Sequence, residues 1–113
     1  MRLLVCGGRD FDDRHLAFEA LDKLDAEHCV DVVIHGAARG ADTVAARWAA
    51  ERSMPVWPFP ADWSRGNGAG PIRNQQMLDE GQPSFVVAFP GGAGTADMTR
   101  RARSAGLPVL EVH

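Results

Sequence analysis

With 113 residues the chain fits one domain, long enough to bury roughly two-thirds of its unfolded surface and too short for a second core. Its net charge of −3 argues against broad electrostatic capture of nucleic acid, and of its 12 Lys and Arg residues all but Lys23 are arginine, which suits genomic base composition or local anion sites. Two distant cysteines, with Cys6 inside an apolar run, exclude a disulfide framework and zinc-type spacing, while no leader segment and no apolar run near the ~18 residues of a membrane span point to a cytoplasmic protein.

The first strand pattern, Leu3 to Cys6, ends in Gly7-Gly8-Arg9-Asp10. A helix follows in which Ala17, Ala20, Leu21 and Leu24 repeat at i, i+3, i+4 and i+7, with Asp12 or Asp13 as N-cap. The second strand, Val32 to Ile34, runs into His35-Gly36-Ala37-Ala38-Arg39-Gly40-Ala41-Asp42, and Ala41, Val44, Ala45 and Trp48 mark the second helix. After a third strand, Val56 to Phe59, the irregular stretch Pro60 to Gly70 leads to a third helix that opens at Gly70-Pro71 and runs to Glu80, where Gly81 stops it. The fourth strand, Phe85 to Phe89, meets Pro90-Gly91-Gly92-Ala93-Gly94-Thr95; a fourth helix follows Thr95 and stops at Gly106-Leu107-Pro108, before a fifth strand from Val109 to Val112. Short continuous apolar runs suit parallel strands covered on both faces. The alternation therefore predicts an α/β protein: a single doubly wound, Rossmann-like, three-layer domain with a five-stranded parallel sheet in the order 3-2-1-4-5.

That order makes the first and fourth strands neighbours at the switch point, where ligands bind beyond the carboxyl ends of the strands. The glycine turns after strands one, two and four should then converge on one rim. The Gly91-Gly92-Ala93-Gly94-Thr95 turn has the makings of a phosphate cradle, because glycines let an anion approach the backbone and a helix N-terminus offers free N–H groups. Thr95 would cap that helix or bond the ligand. A plain tight turn has the same local composition, and what favours the cradle is the strand before it and the helix after it. Neither a Walker A loop nor a strict dinucleotide fingerprint is present. The long segment after strand three carries Asp62, Trp63, Ser64 and Arg65 to the same rim. Trp63 would stack on a base or fold back as a hydrophobic plug, and Arg73-Asn74 at a rim-facing helix start suits a phosphate or carboxylate.

Through Gly7-Gly8-Arg9-Asp10, His35 to Asp42, Phe59-Pro60-Ala61-Asp62-Trp63, Gly70-Pro71-Ile72-Arg73-Asn74 and Phe89 to Thr95, the chain resembles the SLOG superfamily of Rossmann-like proteins, specifically its small YspA-like branch. The resemblance implies a pocket for a nucleotide-derived small molecule, with Gly7, Gly8, Arg9, Gly36, Arg39, Gly40, Asp62, Trp63, Arg73, Asn74, Gly91, Gly92, Gly94 and Thr95 around it. It also implies pairing with a second copy as a homodimer. The superfamily includes LOG-type phosphoribohydrolases, a branch that handles single-stranded DNA, and members proposed to sense ligands such as ADP-ribose. The hydrolases carry Pro-Gly-Gly-x-Gly-Thr-x-x-Glu, and here Met98 stands in place of that Glu.

Cleaving an N-glycosidic bond develops positive charge on the sugar, which a carboxylate would stabilise. Asp10, Asp42, Asp62 and Asp97 could each supply one, but Asp42 and Asp97 also suit early helical positions on dipole grounds alone, and Asp10 could simply pair with Arg9. His35 reads as a core or turn histidine more readily than as an acid-base group. The sequence thus favours binding or sensing of a phosphorylated nucleoside, with Asp10 or Asp42 as catalytic candidates in a rival phosphoribohydrolase reading. A third reading, single-strand nucleic acid binding, would use Arg100, Arg101 and Arg103 with Trp63.

Overall fold

A computed structural model describes all residues from Met1 to His113. Five parallel strands, β1 (Arg2–Cys6), β2 (Val32–His35), β3 (Val56–Pro58), β4 (Phe85–Ala88) and β5 (Val109–Glu111), form one sheet in the order β3-β2-β1-β4-β5. Four helices alternate with them: α1 (Arg14–His28), α2 (Ala41–Glu51), α3 (Ala69–Gly81) and α4 (Ala93–Ser104). This is the doubly wound Rossmann-like topology that the alternation predicts. Central β1 pairs Leu3 with Val33 of β2 on one side and with Phe85 of β4 on the other.

Both faces of the sheet are covered, which is why its central strands are apolar from Leu3 to Cys6, from Val32 to Ile34 and from Phe85 to Ala88. Leu3 and Val5 of β1 point with Val33 and Val87 into a cluster with Leu21, Leu24, Ala45 and Trp48 of α1 and α2. Leu4 and Cys6 point the other way, with Ile34, Val86 and Ala88, against Met77 of α3 and Met98 and Ala102 of α4. Trp48 is fully buried, and its indole N–H donates to Asp22 of α1 at 2.9 Å, so the largest core side chain leaves no polar atom unpaired. The edges differ from the expectation of strands covered on both faces. Val56 and Trp57 of β3 and Leu110 of β5 are 37%, 43% and 40% exposed, because an edge strand has a sheet neighbour on one side only and overhangs its helices.

Helix boundaries follow local chemistry. Asp13 caps α1, its carboxylate accepting from the Leu16 amide at 3.0 Å. Helix α3 ends one residue later than expected: Gly81 is its last residue, and Gln82 takes the left-handed conformation with φ 47°. Gly81 is small for packing, since a Cβ there would lie 3.1 Å from Cδ1 of Ile34. The segment Trp63–Gly68 forms a short 3₁₀ stretch broken at Gly66, with Asp62 as its N-cap accepting from Ser64.

Candidate functional site

The carboxyl ends of β1, β2 and β4 carry three glycine turns, and these turns hold one another. The Gly8 N–H donates to Pro90 O at 2.9 Å, joining the β1 and β4 turns, while Gly8 O accepts from the Ala41 N–H at 3.1 Å, joining the β1 turn to the start of α2. Four glycines serve that meeting. A Cβ on Gly7 would strike Ala41, one on Gly8 would press on Pro90 O and Gly91, one on Gly91 would strike Thr95 Oγ1 and Gly8 N, and Gly40 combines φ 81° with close approach to Gly8 O. Gly91 and Gly40 are thus packed into the joint and do not line the space beyond it.

Beyond the joint opens a cavity of about 530 Å³, within the range usual for small-molecule sites. Its walls include Gly7, Gly8 and Arg9 from the first turn, Gly36 and Asp42 from the second, and Gly92, Gly94 and Thr95 from the fourth strand's turn. Trp63 lies at the mouth, 52% exposed, with the Arg9 guanidinium 4.9 Å from its ring centroid, so it neither plugs the core nor stands free. Gly92 is the N-cap of α4, no side chain caps that end, and Thr95, expected to precede the helix, lies inside its first turn. A Cβ on Gly92 or on Gly94 would meet no atom within 4 Å, and neither residue has a positive φ.

Asp42 lies at 7% exposure in this cavity, with Oδ2 accepting from the amides of Gly36 at 3.1 Å and Ala38 at 3.2 Å. Burial pushes its carboxyl up to about 6, against the pull of those two amides and of Arg73 and Arg9. Arg73 is half-buried and fixed: it donates to Gly36 O, and its Nε donates to Asn74 Oδ1 at 3.1 Å. Burial lowers the Arg73 guanidinium's affinity for its proton, Asp42 opposes that, and Arg9 adds to it. Asn74, 4% exposed, spends its amide nitrogen on Gly94 O at 3.2 Å and Asp97 Oδ2 at 3.0 Å. It therefore brackets α3 to the first turns of α4 and aligns Arg73, while itself lining the cavity.

Other expectations are placed differently. Asp10 is almost wholly exposed, pairs with Arg39 at 3.5 Å rather than with Arg9, and lies outside the cavity. Asp62 faces solvent, its carboxyl held below the usual range by the Ser64 hydroxyl and amide and by Arg65. Burial alone would raise Asp97, but Asn74, Arg101 and Arg100 together hold it down, so it is committed to the α3–α4 contact. Arg100 and Arg101 share Asp97, and Arg103 pairs with Glu111 at 3.2 Å, leaving no free basic stripe on α4. His35 accepts the Ala37 N–H at Nδ1, and burial, then Arg73, keeps it neutral, as a turn histidine. Cys6 lies on the cavity floor with its thiol pushed up to about 12 by burial, then by Asp42 and Glu111, too high for a thiolate nucleophile. No three His, Cys, Asp or Glu side chains gather as metal ligands would. The cavity also takes Gly70 and Pro71 of the third helix's opening, together with Asn67 and Met77, which no spacing in the sequence marks out as site residues. Met98, at the position of the hydrolases' Glu, is 1% exposed and offers the cavity a thioether and no charge.

The family model of YAcAr, described as the YspA, cpYpsA-related SLOG family, matches residues 1–66. The Gene 61 protein of Mycobacterium phage D29 is 40% identical over 118 residues, spanning 96% of this chain and 94% of that protein. The chain belongs to the YspA, cpYpsA-related SLOG family. In fold this SLOG chain is also similar to MurG of Acinetobacter baumannii, with a TM-score of 0.62 at 17% identity over 97% of this chain; the chain spans about a third (34%) of MurG. No helix is long and apolar enough to cross a membrane.

Proposed function

We propose that the cavity binds a phosphorylated nucleoside or nucleotide-derived ligand, such as a nucleoside monophosphate or ADP-ribose, and that the protein senses it. The observation that carries this reading is the open space over Gly92 and Gly94. No atom crowds either glycine, and Gly94, inside the helix, costs about 1 kcal/mol relative to alanine. What the two glycines leave is room beside uncapped N–H groups at the positive end of a 12-residue helix, and a phosphate fits both. Asp42 is within the same cavity to accept from sugar hydroxyls, and Trp63 offers its ring to a base. Calorimetric titration with AMP and ADP-ribose tests this. Wild type is expected to bind, and Gly92→Val to lose at least about tenfold in affinity while the domain still folds, since the branched side chain fills the phosphate's space. Equal affinity in both proteins removes the cradle.

One observation favours a second reading, hydrolysis of the N-glycosidic bond of a nucleoside monophosphate: a buried carboxyl that titrates near neutrality faces the cavity. Against it, Met98 supplies no charge where the hydrolases have Glu, and the Asp42 oxygen described above is already taken by two amides. Chromatography of AMP incubated with the protein separates the two. The sensor reading expects no free adenine; robust release abolished by Asp42→Asn replaces it with the hydrolase.

A further inference from the structure

Beside the cavity lies a second recess of about 440 Å³, and the two share a wall that includes Arg9, Gly36, Trp63 and Arg73. The recess adds Arg39, so three arginines line it, and no carboxylate does. Elsewhere Arg14, Arg52, Arg65, Arg100, Arg101 and Arg103 each have an acidic partner, and Arg2 donates to a backbone carbonyl; the recess is where three arginines gather. Around the recess, Arg9 is stacked on Trp63 and Arg73 is held by a backbone carbonyl and an amide oxygen, and only Arg39 has an ion pair, a 3.5 Å contact with exposed Asp10. Asp42, which faces the main cavity, and exposed Asp10 offset these three like charges only in part, and an anion placed among them offsets the remainder. Stacking also leaves the guanidinium edge of Arg9 free to donate, the geometry that phosphoryl oxygens accept.

We propose that this recess is a second anion subsite and that the ligand is a nucleotide carrying a second phosphoryl group: one phosphoryl on the N-terminus of α4, the other among Arg9, Arg39 and Arg73, with Trp63 between them. The inference rests on the nucleotide reading of the main cavity and narrows its ligand class. It also assigns Arg39 a role outside the cavity, through the recess alone.

The test is calorimetry of the intact protein with AMP, with adenosine 3′,5′-bisphosphate and with a 5′-phosphorylated single-stranded oligonucleotide. The bisphosphate is expected to bind at least about tenfold tighter than AMP, the scale of one added charged hydrogen-bonding group. Arg39→Ala should bring the ratio of the two affinities toward one. Asp10→Asn, which frees Arg39 from its ion pair, should raise it. Because both positions are exposed, neither change threatens the fold. If AMP binds and the bisphosphate gains nothing, or if Arg39→Ala leaves the ratio intact, the second subsite is wrong while the cavity reading stands. If neither mononucleotide binds, both fall. Tighter binding of the oligonucleotide than of the bisphosphate assigns the recess to a nucleic acid backbone and overturns the small-molecule ligand.

Discussion

Asp42 is kept charged at a cost that can be measured. The folded protein holds its proton to about pH 6, because burial outweighs the amides and arginines around it, whereas the unfolded chain releases it near the ordinary 3.8. The folded state therefore binds more protons across that window, and stability falls as pH rises through it, by about 3 kcal/mol in all. Asp42→Asn keeps an oxygen for the amides of Gly36 and Ala38 and removes the charge. Its melting temperature is expected to match wild type near about pH 4 and to exceed it above about pH 6, by on the order of 10 °C. A difference that stays constant with pH would show that burial of this charge is not what the substitution relieves. Arg73 works by shape as well as charge, since its fork already reaches Gly36 O and Asn74 Oδ1. Arg73→Lys keeps the charge and loses the fork, so calorimetry should find nucleotide affinity lowered at least about tenfold, and unchanged affinity would make Arg73 a purely structural residue.

Among the elements, α3 and α4 show where the sequence could and could not be read. The helical repeats and apolar strands were legible because each buries a fixed face, as Leu21 and Trp48 do on one side of the sheet and Met77 and Met98 on the other. The end of α3 was not. A glycine after an amphipathic run looks like a terminator, but Gly81 is selected by contact with Ile34, a residue 47 positions earlier, and the left-handed residue is Gln82. Gln82→Gly should therefore stabilise the protein by up to about 1 kcal/mol, visible as a higher urea midpoint; no gain would mean that the Gln82 side chain contributes as much as its backbone strain costs. The meeting of the glycine turns and Arg73 around one cavity was legible. Its neighbours were not: Asn74 reads locally as a ligand group, yet its amide is consumed by α4 across the α3–α4 contact, and Asp10 reads as the partner of adjacent Arg9, yet pairs with Arg39 across the turns. Asn67, between two glycines, carries no pattern at all.

For the whole molecule, the decisive arrangement is that the three turns lock through Gly8. Gly40→Ala would force a Cβ onto Gly8 O at a left-handed position and should cost at least about 2 kcal/mol in urea denaturation, while wild-type stability in the variant would mean the joint yields easily. The strand order has a further effect on how the protein is made. As the chain leaves the ribosome, β1 can pair with β2 early, but its other side waits for Phe85 to come beside Leu3. Arg9 and Asp42 are made long before Gly92 and Gly94, so the cavity exists only once the crossover through α3 has closed the seam between the early and late halves and α4 has followed. A nucleotide bound there as proposed would act as a clasp on that seam, with a stabilising effect that grows with the logarithm of its concentration, so that the abundance of the ligand would set how often the finished sheet reopens between β1 and β4.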